Sequence, residues 1–464
     1  MKKFITFLLI INSIFSFAQT RQATGLNFND NTYKTTRGLS PAMKFSGGDI
    51  PYYSLKKYCP TPGNQGNIGS CVGWATGYAA LTIADAISNN NTNTAIINQR
   101  VRSSMFLYLQ IVESCPQGSY ISDALELAKT EGDILHKDLG AVSCGTSISS
   151  ALKSLAKDFK IKDYYTLFGL DATSQQKIIA TRNSLNSNKP VVIGMNVTAS
   201  FNTVGSTGYY NPLPGEENLG GHALCVIGYD DQTKRFEIMN SWGTGWGNNG
   251  FFTISYDDYA RLCKYGYQFT LANSSPSKLV ELEGDFKFKK LLDGAFNEIP
   301  VTLNGNTYAI NDVRVNDFFR IAASHMLKDK FVYIFSIKPD NSAEVLFPTS
   351  KMIDAVTIKD IPVVPSKDVT LEIPVNERKG LTTDMPGEDM LCILYSTEEL
   401  NDLDDIVRKV KNSSGDYPSR VQFALGNRMI PFSNIKYKNN EMGLTAKSTS
   451  GIVAPLILKV QVNK

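Results

Sequence analysis

The chain reads as an α+β protein: a two-lobed unit, helical in its first lobe and strand-rich in its second, followed by a separate β-rich domain. Three observations predict this. Helical spacing dominates residues 72–186, strand runs dominate residues 191–271, and the polar stretch Ala272-Asn273-Ser274-Ser275-Pro276-Ser277 then precedes a second set of strands. At 464 residues the chain exceeds one ordinary domain, and 42% apolar against 20% charged residues can fill more than one core. The segments expected are 1–18, 19–50, 51–272, 273–282 and 283–464.

Residues 1–18 have the form of a secretory signal peptide: basic Lys2-Lys3, an apolar run from Phe4 to Ile14, and Ser16-Phe17-Ala18 before a cleavage point at Gln19. A secreted or periplasmic location follows as an expectation. Residues 19–50 are polar and rich in Gly and Asn, and are expected to lie over the surface. Val72 to Ile87 is Ala-rich with Trp74, Tyr78 and Leu81 near helical spacing, and Ile121–Glu131, Ser149–Asp158 and Gln176–Asn186 also read as helices. Strands are expected at Val191–Val197, Ala223–Tyr229, Phe236–Asn240, Phe251–Tyr256 and Tyr267–Leu271. Beyond the linker, Phe331–Ile337 and Ala343–Phe347 flank a Pro339-Asp340-Asn341-Ser342 turn and predict a hairpin. Val369–Pro374, Met390–Tyr395 and Ile452–Val462 read as strands, and Glu398–Val410 as a helix with Asp404, Asp405, Lys409 and Lys411 on a solvated face.

A net charge of +3, two units of it in the signal segment, leaves the mature chain close to neutral, so nothing points to nucleic acid or an anionic membrane surface. The seven cysteines include no Cys-x-x-Cys pair and the three histidines are far apart, which argues against a metal site; no cofactor is expected. An odd cysteine count in an exported chain leaves a free thiol, for which Cys71 is the candidate. Cys225 and Cys392 sit in apolar strands as inert thiols. Cys115 and Cys144 are the leading disulfide pair, with Cys59 a rival partner for either.

Three segments carry the chemistry. Gln65-Gly66-Asn67-Ile68-Gly69-Ser70-Cys71 places a cysteine after a Gly-rich turn at the start of a helix, Gly220-Gly221-His222-Ala223 opens an apolar strand, and Asn240-Ser241-Trp242-Gly243 closes the next. A thiol, an imidazole and an amide are the parts of a cysteine nucleophile, its base and its orienter. The helix N-terminus and an imidazolium partner are expected to lower the thiol pKa. Gln65 and the Cys71 backbone N–H suit an oxyanion hole. Gly66 and Gly69 allow a tight turn and close backbone approach, and Trp242 can cover the His222–Asn240 bond. His136 and His325 lack such surroundings and read as surface or structural residues.

These segments resemble the papain-like cysteine peptidases: Gln65, Gly69-Ser70-Cys71, His222, the run Asn240-Ser241-Trp242-Gly243-Thr244-Gly245-Trp246-Gly247, and Gly250. The resemblance spans residues 50–272 and implies a papain fold, helical lobe plus β-barrel-like lobe, with peptide-bond hydrolysis through an acyl-enzyme. Cys115-Pro116-Gln117-Gly118-Ser119-Tyr120 is similar to the family's substrate-pairing Cys-Asn-Gly-Gly loop, which implies substrate contact for Gly118 and Ser119; Gly69, Gly221 and Trp242 join them as candidate substrate-binding residues. Ile68 replaces a usual cysteine, Val72 a usual tryptophan, and Gly221 a usual Asp or Asn. The long helical propeptide of lysosomal relatives is missing, which puts zymogen control in doubt. The C-terminal part resembles an uncharacterised β-rich domain found beside bacterial peptidases, on Asp317-Phe318-Phe319-Arg320, the hairpin ending Leu346-Phe347-Pro348, Ile361-Pro362 and Pro386-Gly387-Glu388. That implies a surface- or protein-binding role.

The reading is a secreted papain-like cysteine endopeptidase acting on protein or peptide substrates, with a β-rich accessory domain. Its rivals are a non-catalytic peptide-binding protein on the same fold, and an amidase or transpeptidase acting on peptidoglycan.

Overall fold

The computed structural model describes residues 23–464 apart from 41–42, 46–49, 141, 273–278, 354–355, 366 and 376–379. The expected signal peptide and the centre of the linker therefore lie outside the described residues.

The first lobe is organised by the helix that begins at Cys71. It runs as Cys71–Gly73, widens to π-helical turns over Trp74–Leu81, and returns to α over Thr82–Ser88. Its close neighbour is the helix Ser104–Ile111, capped by Ser103, whose side chain accepts the Phe106 N–H. A Cβ on Gly73 would stand 2.2 Å from the Ser104 carbonyl oxygen, so only glycine lets the two backbones meet. Residues Ser104 to Tyr108 are all buried. The segment therefore lacks the polar face by which helical period is read, and the sequence pattern missed it. The expected helices appear at Ile121–Thr130, Ser150–Ala156 and Ser174–Asn186, the last opened by a Thr173/Gln176 capping box.

The second lobe is one strongly bent sheet in the order Ile161–Thr166, Cys263–Leu271, Val191–Thr198, Asn218–Asp230, Arg235–Met239, Phe251–Ser255, Tyr209–Tyr210, with Tyr52–Ser54 also on the long strand. Neighbours are antiparallel except the last pair. The strand expected from Ala223 in fact starts at Asn218, so His222 lies inside it, opposite Met195, rather than heading it.

The C-terminal half is a sandwich of two sheets. One runs Met43–Phe45, Val369–Ile373, Phe318–Ser324, Val280–Leu292, Met442–Ser448, Ile435–Tyr437; the other runs Thr302–Asn304, Thr307–Arg314, Val453–Asn463, Gly387–Ser396, Phe331–Ile337, Ala343–Phe347. The expected hairpin pairs antiparallel as read. On Phe331–Ile337, Val332 and Ile334 enter the sandwich core while Tyr333, Phe335 and Ile337 join the cluster continuous with the peptidase half. Both faces are covered, which is why this strand is apolar at every position but Ser336. The helix expected at Glu398–Val410 spans Leu403–Asn412 and is followed by Tyr417–Leu425, which the pattern did not suggest. The first sandwich strand starts at Val280, ahead of the expected boundary at 283.

The described residues of the N-terminal segment do not simply lie over the surface. Leu26, Tyr33 and Met43 are buried, and the chain from residue 23 passes through the cleft between the lobes before Met43–Phe45 joins the edge of the sandwich. Its polar composition misleads because its anchors are main-chain hydrogen bonds, the ion pairs of Asp30 and Arg37, and a few isolated buried side chains.

Candidate active site

Cys71 is the first residue of its helix and is fully buried. Its Sγ accepts the Ala223 backbone N–H at 3.4 Å, and the amides of Gly25 and Val72 also point at it. Ala223 follows His222, so the long strand delivers the imidazole to the helix start.

The His222 Nε2 lies 2.8 Å from Asn240 Oδ1. That oxygen also accepts the Ser241 backbone N–H at 2.8 Å, which fixes the orientation of the amide. An acceptor at Oδ1 requires the proton on Nε2, leaving Nδ1 with a free lone pair. Nδ1 is buried with no hydrogen-bond partner among the described residues. The Trp242 ring covers the pair at 5.2 Å from the imidazole centroid, and Phe201 packs on both rings at 5.8 and 4.9 Å. Phe201 was not among the expected site residues; a lone aromatic in a short 3₁₀ segment carries no signal in sequence.

Gln65 is buried beside them. Its Oε1 accepts Ser241 Oγ–H at 2.6 Å, and its Nε2 donates to the carbonyls of Ile68 and Ala23 at 2.9 and 3.0 Å. Ser241 was read only as part of a motif; its hydroxyl turns the Gln65 amide so that N–H points into the cleft.

The cleft is filled by residues 23–28 of the same chain. Leu26 N–H donates to Gly221 O at 3.1 Å, Asn27 N–H to Ser119 O at 2.9 Å, and Ser119 N–H to Gly25 O at 2.8 Å. The segment thus pairs antiparallel with Gly221 and parallel with Ser119. A Cβ on Gly118 would stand 2.7 Å from Gly25 O, and one on Gly194 would stand 2.8 Å from the Leu26 side chain. The expected substrate-contacting residues Gly118, Ser119 and Gly221 therefore line one strand-shaped slot. Gly69 also faces it: its carbonyl would stand 2.1 Å from a Cβ on Gly25, while its N–H donates to Pro116 O at 3.1 Å. Trp242 is a buried cover of the imidazole rather than a wall of the slot. The Cys115–Cys144 disulfide is formed and Cys59 is a free thiol, as are Cys225, Cys263 and Cys392.

Burial governs the electrostatics. It pushes the Cys71 thiol up to about 12, against the amides that favour the thiolate, and pushes His222 down to about 4, against its bond to Asn240. The expected depressed thiol and imidazolium partner are thus not the state of the filled cleft. Both shifts favour the neutral thiol and the neutral imidazole.

Residues 55–271 match the papain family cysteine protease profile. An uncharacterized peptidase C1-like protein of Acanthamoeba polyphaga mimivirus is 30% identical over 241 residues, covering 48% of this chain and 74% of that protein. Cathepsin K of Mus musculus is 26% identical over 245 residues, covering 51% of this chain and 68% of its own length. Among solved structures, xylellain, a cysteine protease from Xylella fastidiosa, is similar at 22% identity with a TM-score of 0.43, over 54% of this chain and 96% of that one. With the cysteine, histidine, asparagine and glutamine gathered in one cleft, the chain belongs to the papain family of cysteine proteases and carries a cysteine peptidase domain that hydrolyses protein or peptide substrates.

Proposed function

We propose that Cys71 is the nucleophile, His222 its base and then acid, Asn240 the orienter and Gln65 an oxyanion donor in a secreted cysteine endopeptidase. The observation that carries this is the 2.8 Å contact of His222 Nε2 with Asn240 Oδ1, an oxygen that also accepts the Ser241 N–H: it calls for the proton on Nε2, and the lone pair on Nδ1 is then available to take the thiol proton. Once water enters the cleft, that transfer gives a thiolate at a helix start and an imidazolium held by Asn240. The thiolate attacks the scissile carbonyl carbon, and the Gln65 Nε2–H and Cys71 N–H receive the developing oxyanion. The C–N bond breaks as His222 protonates the leaving amine. Water, deprotonated by His222, then hydrolyses the thioester and restores the thiol.

Endopeptidase action is favoured by the run of residues 23–28 along the slot, with Ala23 at Gln65 and Leu26 at Gly221. Export rests on the character of residues 1–18, and mass spectrometry of the exported protein should find Gln19 as its first residue. The catalytic roles are tested by alkylation with an epoxide directed at papain-type thiols, followed by peptide mapping. A single adduct on Cys71, absent in Cys71→Ala and slowed in His222→Ala, is expected. Equal labelling of His222→Ala and the parent chain would remove His222 from the mechanism. Folded, open-cleft protein that takes no adduct would favour the non-catalytic peptide-binding reading. Profiling on peptides against peptidoglycan fragments separates proteolysis from amidase action.

A further inference from the structure

Phe201 packs on His222 and Trp242, yet the 3₁₀ turn that carries it, Ala199–Thr203, is too short to hold itself in place. Its N-cap, Thr198, makes no side-chain capping bond. The acceptor comes instead from the loop that leads into the Asn218–Asp230 strand. There the half-buried Glu216 accepts, at Oε2, the Ser200 N–H at 3.0 Å, the Ser200 hydroxyl at 2.6 Å and the Thr198 hydroxyl at 2.5 Å. Its Oε1 accepts the Leu213 N–H at 2.8 Å, which closes the loop on the same carboxylate. The Ala199 N–H also donates to Glu217 O at 2.9 Å.

These partners of Glu216 are all donors, so the place suits an ionised carboxylate and not the amide of the same shape. The hydroxyls of Ser200 and Thr198 hold the Glu216 carboxyl down to about 2. Because the Thr198 hydroxyl hydrogen goes to Glu216, Tyr210 donates its own hydroxyl to Thr198 Oγ1 at 2.9 Å and receives the Thr198 N–H at 2.9 Å. Tyr210 is in turn a wall of the aromatic box around Phe201, with ring centroids 4.9 Å apart. On the other side Trp246 packs on Phe201 at 4.9 Å and donates its indole N–H to Phe201 O at 3.1 Å. The turn is therefore fixed from outside, and Glu216 fixes its start.

We propose that Glu216 is a positioning residue of the peptidase site: by fixing the Ala199–Thr203 turn it presses Phe201 onto His222 and Trp242 and keeps water from the His222–Asn240 hydrogen bond. This rests on the catalytic reading above. Water at that bond would compete for the Nε2–H and let the imidazole turn, and the approach of Nδ1 to the thiol depends on the angle of the ring. The slot that receives main chain is made elsewhere, by Gly118, Ser119 and Gly221, so the effect falls on the chemical step rather than on binding.

The test uses the full chain and two readouts. The first is the rate at which His222 Nε2–H exchanges with water, followed by NMR on protein carrying isotope-labelled histidine. His136 and His325 are exposed, so the slowly exchanging ring proton belongs to His222. The second is kcat and KM on one peptide, with Gly25→Ala in every chain to displace residues 23–28. Glu216→Ala should speed the exchange at least about tenfold and lower kcat about tenfold, with KM within about twofold of the parent. Glu216→Gln keeps an acceptor oxygen for Ser200 and Thr198 and should show a smaller change of the same kind. Phe201→Leu should act as Glu216→Ala does, and the double variant should lose no more than the worse single one, because the two residues act as a unit. Amide exchange in the Arg235–Met239 strand separates loosening of the turn from unfolding. If Glu216→Ala loses that protection, the comparison is made with Glu216→Gln, whose ring proton must still exchange faster than the parent's. Parent-like exchange and kcat would overturn the proposal, as would losses that multiply in the double variant. A raised KM with kcat unchanged would also overturn it, by making the loop a substrate contact. His222→Ala that hydrolyses the peptide as fast as the parent would overturn the catalytic reading, while the exchange rates judge the link from Glu216 to Phe201 separately.

Discussion

Ser241 donates its hydroxyl hydrogen to Oε1 of Gln65 at 2.6 Å, joining residues 176 apart in the chain and tying the two lobes together at the site. Because Oε1 is held, Nε2 must point into the cleft, where Ala23 O now receives it. With residues 23–28 displaced from the cleft, Gln65→Ala should lower kcat by roughly a hundredfold to a thousandfold, as for loss of an oxyanion donor. Ser241→Ala leaves the donor present but free to turn, and should lower kcat by about tenfold with little change in KM. Steady-state kinetics on one peptide substrate check both; an unchanged kcat in Gln65→Ala would remove that residue from the oxyanion site.

Asn240 determines which nitrogen of His222 carries the proton. Asn240→Ala leaves Nε2–H buried and unpaired beneath Trp242, at a cost of about 1–3 kcal/mol, and frees the ring to rotate. The expected result is a tenfold to hundredfold fall in kcat/KM, roughly the same energy expressed in the transition state. The pH–rate profile of this variant should also lose its sharp limb, because the tautomer is no longer fixed.

The pH dependence of Cys71 alkylation should set the parent chain apart from Gly25→Ala. In the filled cleft one titratable proton sits on the thiol, pushed up to about 12, and none on His222, pushed down to about 4. The thiolate–imidazolium pair of the open cleft also holds one such proton, on His222, so opening takes up and releases none near neutral pH. Above the pKa of that imidazolium the open cleft loses its proton while the filled cleft keeps the thiol's, so opening is favoured as pH rises toward 12. The alkylation rate of the parent chain divided by that of Gly25→Ala should be flat near neutral pH and climb toward base; a ratio that falls toward base would contradict the ion pair.

Gly25 lies where no side chain fits. A Cβ there would stand 2.1 Å from the Gly69 carbonyl oxygen, which belongs to the rigid turn before Cys71. Gly25→Ala should therefore displace residues 23–28 from the cleft and raise the rate of Cys71 alkylation. An unchanged rate would show that the turn before Cys71 yields instead.

The Cys115–Cys144 disulfide closes a loop of sequence separation 29 that carries Gly118 and Ser119. Cys144→Ser should cost about 3 kcal/mol of stability by the loop-closure argument, visible as a lower Tm. It should also reduce hydrogen-exchange protection of Asn27, whose N–H is bonded to Ser119 O.

Residue pattern alone picked out the residues that the fold brings together in the cleft and most of the scaffold. Cys71, His222, Asn240 and Gln65 sit in short segments whose glycines and aromatics are dictated by local geometry, and the strands around them alternate or run apolar as buried strands must. The Cys115–Cys144 pair was the leading choice for the same reason, since both lie in loops beside one helix. Three features were decided only by packing. The helix Ser104–Ile111 is buried so completely that no polar face marks its period. The state of the thiol and imidazole follows from desolvation, and hence from which segment covers them, not from their neighbours in sequence. The path of residues 23–39 is held by main-chain bonds to Ser119, Gly221, Thr166 and Ile361. Backbone groups are the same in every residue, so a pairing made through them leaves no mark in a sequence and exists only once the chain has folded.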